Sequence, residues 1–125
     1  MLKLVFCCRR NPNLSVEDFQ QSWLSDHGPL VRSLRKAFPQ MRRYVQSHTL
    51  HGASAPIWQA RGTKEPYDGI AEVWIESLES LGVAPQEALE AGQKLLKDEQ
   101  RLLDLSQSAI FLTEEHEIFG FDDRI

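Results

Sequence analysis

The side chains best suited to moving a proton are His27, His48 and Tyr44. An imidazole titrates near neutral pH and so can serve as general acid or base. His27 stands just before Gly28–Pro29, inside a stretch of helical periodicity. Proline lacks the N–H that closes the preceding turn and disfavours the α region for the residue before it, so the sequence predicts a bend at His27–Gly28. Two roles fit His27 there: acid–base chemistry, or a hydrogen bond that stabilises the bend. Tyr44, Gln46 and His48 alternate along a predicted strand and so share one face, with the Tyr44 and His48 backbones about 13 Å apart. At that spacing they could address two parts of one ligand. Glu72 and Trp74 are expected on the same sheet face from a second strand. Trp74 would give an apolar wall with a polar handle, and Glu72 would orient a histidine or pair with an arginine. Plain dimer packing is the alternative for this group. Trp58 and Arg61 fall in a stretch without clear period, where Trp58 either closes over a pocket or anchors its own segment. The catalytic candidates are thus His27, His48 and Tyr44; the ligand-binding candidates are Gln46, Trp58, Glu72 and Trp74.

Other chemistries find little support. His48 and His51 look like a metal pair, but residues three apart on a strand point to opposite faces. Cys7 and Cys8 are the only cysteines and are adjacent, which suits two small buried hydrophobes better than a disulfide or a zinc site. His116 sits among Glu114, Glu115 and Glu117 and reads as a solvated strand end. Phosphate loops, nucleophile elbows and nicotinamide fingerprints are missing from the sequence. Neither metal nor cofactor is expected. A net charge of −4 leaves no basic footprint for nucleic acid. No apolar run approaches the roughly 20 residues of a membrane span. The opening apolar run precedes Arg9–Arg10 instead of following a charge, unlike a secretory signal, so the protein is read as cytoplasmic.

These residues must be positioned by a small set of elements. At 125 residues the chain suits one domain, 1–125. Residues 2–8 read as a central strand, apolar on both faces. Ser15 and Asp18 form a capping box, with Leu14 and Phe19 as its hydrophobic staple. The helix they open is expected to reach about Asp26, and a second segment to begin at Pro29. Residues 41–50 are a predicted strand and 51–67 a long loop, of a kind often functional or mobile. Residues 70–76 form a third strand, with Ala71, Val73 and Ile75 on one face. A helix follows from Pro85 to about Ser106 with Leu89, Gly92, Leu95, Leu96, Leu102 and Leu103 in its buried stripe. Residues 109–118 complete the strands, and 120–125 form a polar tail that frays. The order is strand, helix, strand, strand, helix, strand, the ferredoxin-like βαββαβ pattern. Two helices can cover only one face of a four-stranded antiparallel sheet. The other face would expose an apolar patch, which predicts a homodimer.

Several segments carry a family resemblance: Lys3–Arg10 (KLVFCCRR), Trp23–Val31 (WLSDHGPLV), Arg42–Thr49 (RRYVQSHT), Tyr67–Trp74 (YDGIAEVW) and Asp98–Asp104 (DEQRLLD). Together they resemble the EthD domain family, with His27-Gly-Pro-Leu-Val31 the most specific piece. The resemblance implies an α+β fold that pairs with a second copy into a dimeric α+β barrel. Its relatives include lactone isomerases, polyketide-tailoring enzymes and proteins of catabolic operons, so fold alone does not fix function. It also favours a functional His27. Haem-binding proteins with this barrel commonly take an axial ligand from the second helix, which here has no histidine, so haem is disfavoured. For Asp98, Glu99, Arg101 and Asp104, ion pairs along a helix face are the expectation. Three functions fit a pocket for a small, largely apolar organic molecule. The first is a cofactor-independent enzyme of isomerase, dehydratase or cyclase type. The second is a non-catalytic accessory or binding protein. The third is a cofactor-free oxygenase, which lacks any residue specific for handling oxygen.

Overall fold

Leu2, Leu4, Phe6 and Cys8 alternate along the first strand and turn toward the core, where Cys8 is fully buried. This strand, β1 (Leu2–Cys8), lies inside a four-stranded antiparallel sheet with β2 (Met41–His48), β3 (Gly69–Ile75) and β4 (Ala109–Glu114). The order is β2-β3-β1-β4, that of a ferredoxin-like α+β fold. These coordinates are a computed structural model that describes residues 1–81 and 84–122. The fraying expected of residues 123–125 lies outside the described residues.

The helical segments α1 (Val16–Ser22), α2 (Gly28–Ser33) and α4 (Gln86–Leu102) pack on the β1 and β3 residues Cys8, Ala71 and Val73, while α3 (His51–Arg61) stands apart beside Arg9 and Arg10. Helix α1 starts as its sequence requires: the Ser15 hydroxyl accepts from the Asp18 backbone N–H at 3.0 Å, and Leu14 packs against the cluster that contains Phe19. Phe19, Trp23, Leu102 and Leu103 complete that core with Cys8 and Ala71. Among the described residues no helix is long and apolar enough to cross a membrane.

The structure corrects five expectations. Residues 51–67 are not one long loop, because His51–Arg61 form α3, closed by Gly62 in the left-handed conformation at φ 72°. Its alanines favour a helix without leaving an apolar stripe, and glycine is the residue that tolerates such a C-terminal cap. Gly28 is not driven out of the α region by Pro29; its φ is −56° and ψ −53°. Instead, Trp23–His27 form a π-helical turn, with the Gly28 N–H donating to the Trp23 carbonyl. The wider turn accommodates the proline ring, which in a regular helix would meet the carbonyl four residues back.

The third correction concerns β2. Tyr44 stands opposite Val73, Gln46 opposite Ala71 and His48 opposite Gly69, so all three face the helices. Glu72 and Trp74 stand opposite Val45 and Arg43 and project from the other side of the sheet. The expected shared face therefore does not exist. A bulge between Met41 and Arg43 inserts one residue and brings Met41 back to the Tyr44 face. The fourth correction is one of length. Helix α4 stops at Leu102 and β4 at Glu114, short of Ser106 and residue 118. A 3-10 turn at Leu105–Gln107 and the backbone pair Asn11–Leu102 close the connection. The fifth correction concerns the stripe of α4: Leu89 and Leu96 are exposed, and the helix buries Ala88, Ala91 and Leu102 instead.

Candidate functional site

The π-helical turn determines where the candidate site forms. It buries Trp23 and His27 four residues apart on one side, and single π-helical turns inside a helix are frequent at functional sites. A cavity of about 140 Å³ lies behind them, between the sheet and α4. Leu4, Phe6, Val31, Val73 and Leu95 make its walls largely apolar. Three groups able to carry a proton reach it from three elements: His27, Tyr44 and Glu99.

His27 is 4% exposed, and its Nδ1 lies 2.7 Å from Asp98 Oδ2. An ionised carboxylate only accepts, so Nδ1 carries the hydrogen and Nε2 is left as an acceptor in the neutral ring. Asp98 is held in turn by Arg101 Nε at 3.0 Å, and Arg101 reaches the Ser22 hydroxyl at 2.9 Å. Burial raises the Asp98 pKa, but the hydrogen bonds from Arg101 and His27 outweigh it and hold the carboxyl below its usual range. Asp98 is thus a fixed anion that orients an imidazole.

Glu99, the next residue, meets the opposite fate. Burial, and then the charge of Asp98, push its pKa up to about 7. Among the described residues it has no cationic partner within ion-pair distance. Two neighbouring carboxyls are therefore separated by their surroundings into a permanent anion and a group poised near neutral pH.

Tyr44 is pushed up to about 12 by burial and stays a neutral phenol. Its oxygen accepts from Gln46 Nε2 at 3.1 Å, leaving the O–H free to donate. The same Gln46 Nε2 donates to the Trp23 carbonyl at 2.8 Å. Gln46 Oε1 accepts from His48 Nε2 at 2.9 Å, and the His48 ring lies 4.8 Å from the Trp23 ring. Burial lowers the His48 pKa. Tyr44, Gln46 and His48 therefore form one hydrogen-bonded line on the helix side of the sheet. Of the three, only Tyr44 lines the cavity.

The remaining expected residues lie elsewhere. Glu72 pairs with Lys3 at 2.7 Å, not with a histidine or arginine. Trp74 donates to Glu115 at 3.3 Å and lies beneath the Lys3 and Arg43 cations. Both stand on the sheet face opposite the cavity. Trp58 lies on α3 in a separate cleft with Arg9, Arg10, His51 and the buried Asp68, sharing no lining residue with the His27 cavity. His51 Nε2 is 3.1 Å from Asp68 Oδ1, an arrangement that fastens α3 to the start of β3. Among the described residues no group of three His, Cys, Asp or Glu side chains is placed to hold a metal ion.

The expected pairing along the helix face holds for Asp98, which meets Arg101 three residues on, but among the described residues not for Glu99. One signal marks Glu99 in the sequence. It follows Leu95 by four residues and precedes Leu102 by three, so it stands on the apolar stripe of α4. Asp98 has the same kind of spacing, three after Leu95 and four before Leu102, but its partner His27 is 71 positions away.

The EthD domain model matches residues 11–106. The chain belongs to the EthD family. None of the curated proteins matches this EthD chain in sequence. Solved structures do share its fold. An EthD family protein (ethyl tert-butyl ether D) from Bacillus halodurans is 21% identical, with 93% of this chain and 99% of that one aligned at a TM-score of 0.58. An EthD-like protein from Ralstonia eutropha aligns over 98% and 96% at 15% identity and a TM-score of 0.59. A dimeric ferredoxin-like protein of unknown function from Thermobifida fusca aligns over 89% and 87% at 11% identity and a TM-score of 0.57.

Proposed function

We propose that this EthD protein is a cofactor-independent acid–base enzyme of isomerase, dehydratase or cyclase type, acting on a small, largely apolar organic metabolite. The observation that carries the reading is the convergence of His27, Tyr44 and Glu99 on one apolar cavity. Glu99, poised near pH 7, is suited to take a proton and return it. His27, oriented by Asp98, offers Nε2 as a second acceptor. The Tyr44 hydroxyl polarises a carbonyl, and His48 acts through Gln46 to hold that hydroxyl in position. Low dielectric strengthens each of these interactions where water is excluded.

The protein works, on this reading, as a cytoplasmic homodimer. Adjacent unpaired Cys7 and Cys8 suit a reducing compartment. The sheet face away from the helices carries exposed Ile70 and Phe111, and the Thermobifida fusca relative with this fold is dimeric.

The test is turnover of a panel of small lactones, quinones and aromatic acids by wild type and variants. His27→Gln and Glu99→Gln are expected to lower kcat by about 10²–10⁴-fold, and Tyr44→Phe by less. Wild-type rates in both of the first two variants would overturn the mechanism. Tight binding without conversion of any panel member would favour an accessory binding protein. A His27 that only stabilises the π-helical turn would lower Tm on substitution and leave ligand affinity unchanged.

A further inference from the structure

A second hollow, of about 270 Å³, opens to solvent between α2, β2 and α4. It shares Val31, Met41, Tyr44 and Leu95 with the inner cavity, so the two meet at a common wall. Its rim carries four arginines, Arg32, Arg35, Arg42 and Arg43, on a chain whose net charge is −4. Two of these have partners: Arg42 pairs with Glu76 and Arg43 lies over Trp74. Among the described residues Arg32 and Arg35 have no ion-pair partner, and both are exposed. Arg32 lies in the last turn of α2 and Arg35 opens the 3-10 turn Arg35–Ala37 that follows it, and both line the same hollow. A helix C-terminus favours one cation nearby, but that alone does not direct two guanidinium groups to the rim of a hollow whose other walls are Val31, Phe38, Met41 and Leu95.

Taking the inner cavity as the reaction site, we propose that the ligand carries a carboxylate, which Arg32 and Arg35 receive at the mouth. The guanidinium fork matches a carboxylate in geometry and stays charged at every working pH. The apolar body would pass Leu95 and Met41 toward Tyr44. An inner cavity of this size suits a single ring, since a void of about 150 Å³ takes up benzene. The substrate class is therefore an apolar organic acid with its charge at one end. Arg32 and Arg35 would also draw such an acid toward the mouth, an effect that falls with added salt.

Hydrocinnamate and its neutral amide are matched probes, differing in charge and little in shape. Titration calorimetry gives their affinities, and ¹⁵N spectra of the labelled protein locate them. Hydrocinnamate is expected to bind roughly tenfold or more tightly than the amide, the scale of a charge-assisted contact, with that advantage shrinking in salt. The double variant Arg32→Gln/Arg35→Gln leaves the core intact because both side chains are exposed. It is expected to bind the acid about as weakly as the amide and to leave amide binding unchanged. Equal affinity of the two probes for wild type, or an acid preference that survives in the double variant, would overturn the carboxylate proposal and leave the cavity reading in place. If neither probe shifts the backbone signals of His27, Tyr44 and Glu99, the cavity reading fails and the proposal fails with it.

Discussion

A carboxyl on the apolar stripe of a helix either stays neutral or becomes an anion at a desolvation cost. Glu99 and Asp98 show both outcomes side by side, because only Asp98 meets His27 and Arg101. The consequence for stability has a definite sign. The Glu99 pKa is raised to about 7 in the folded protein, above its unfolded value, so between these values the folded state binds more protons. Its contribution is therefore fully present at low pH and lost as pH rises toward 7 and beyond. Glu99→Gln removes the ionisation and keeps the shape. The variant is expected to be more stable than wild type at pH 8, by about 1–3 kcal/mol on the linkage scale, and near wild type at pH 4. Thermal melts of both proteins across that range check this. A difference independent of pH would mean that Glu99 is solvated in the folded state.

At the scale of elements, the π-helical turn and the start of β3 depend on one another. A Cβ built on Gly69 would overlap the Trp23 ring and lie 3.0 Å from the Ser47 carbonyl. Trp23 is 2% exposed, stacks on Phe19 and has the tilted His48 ring against it, so it cannot swing aside. Gly69→Ala is expected to cost about 1–3 kcal/mol by overpacking, measured by denaturant unfolding. The smaller ring of Trp23→Phe should relieve part of that cost in the double variant, a non-additivity that identifies the contact. These elements were legible in unequal measure. The Ser15 cap of α1, the two-sided apolarity of β1 and the alternation of β3 are local signals, and the structure shows each; of the expected capping box it shows the Ser15 half. The facing of β2 was not legible. Tyr44, Gln46 and His48 look like a solvent face, yet they turn inward because the Trp23 carbonyl and ring supply partners from a distant element. Helix α3 was hidden by Pro56 and by alanines that leave no apolar stripe. The candidate site was legible at His27 and Tyr44. Its carboxylates were not, because pairing Asp98 with His27 requires knowing how α4 crosses the π-helical turn.

In the whole molecule, the helices leave uncovered the face of the sheet away from the cavity. In register across the strands, one row reads Arg43, Trp74, Lys3 and Thr113, and the next reads Val45, Glu72, Val5 and Phe111. The row beyond holds Ser47, Ile70, Cys7 and Ala109. The first row is polar, and its Lys3 pairs with Glu72 of the next row and with Glu115 just past β4. The other two are largely apolar, and Ile70 and Phe111 are 37% and 48% exposed. A second copy laid on this face would bury the apolar rows around a polar border, the usual anatomy of an interface. Stable interfaces bury about 1,200–2,000 Å², an area that a paired sheet face can supply. Under twofold symmetry each substitution enters the contact from both protomers. Phe111→Asp would place two carboxylates on the buried face at once, with no cation in its own row. Sedimentation at micromolar concentration is expected to show a dimer for wild type and a monomer for Phe111→Asp, with the circular dichroism of the two proteins alike. A monomeric wild type, or a variant that stays dimeric, would show that this face is not the interface.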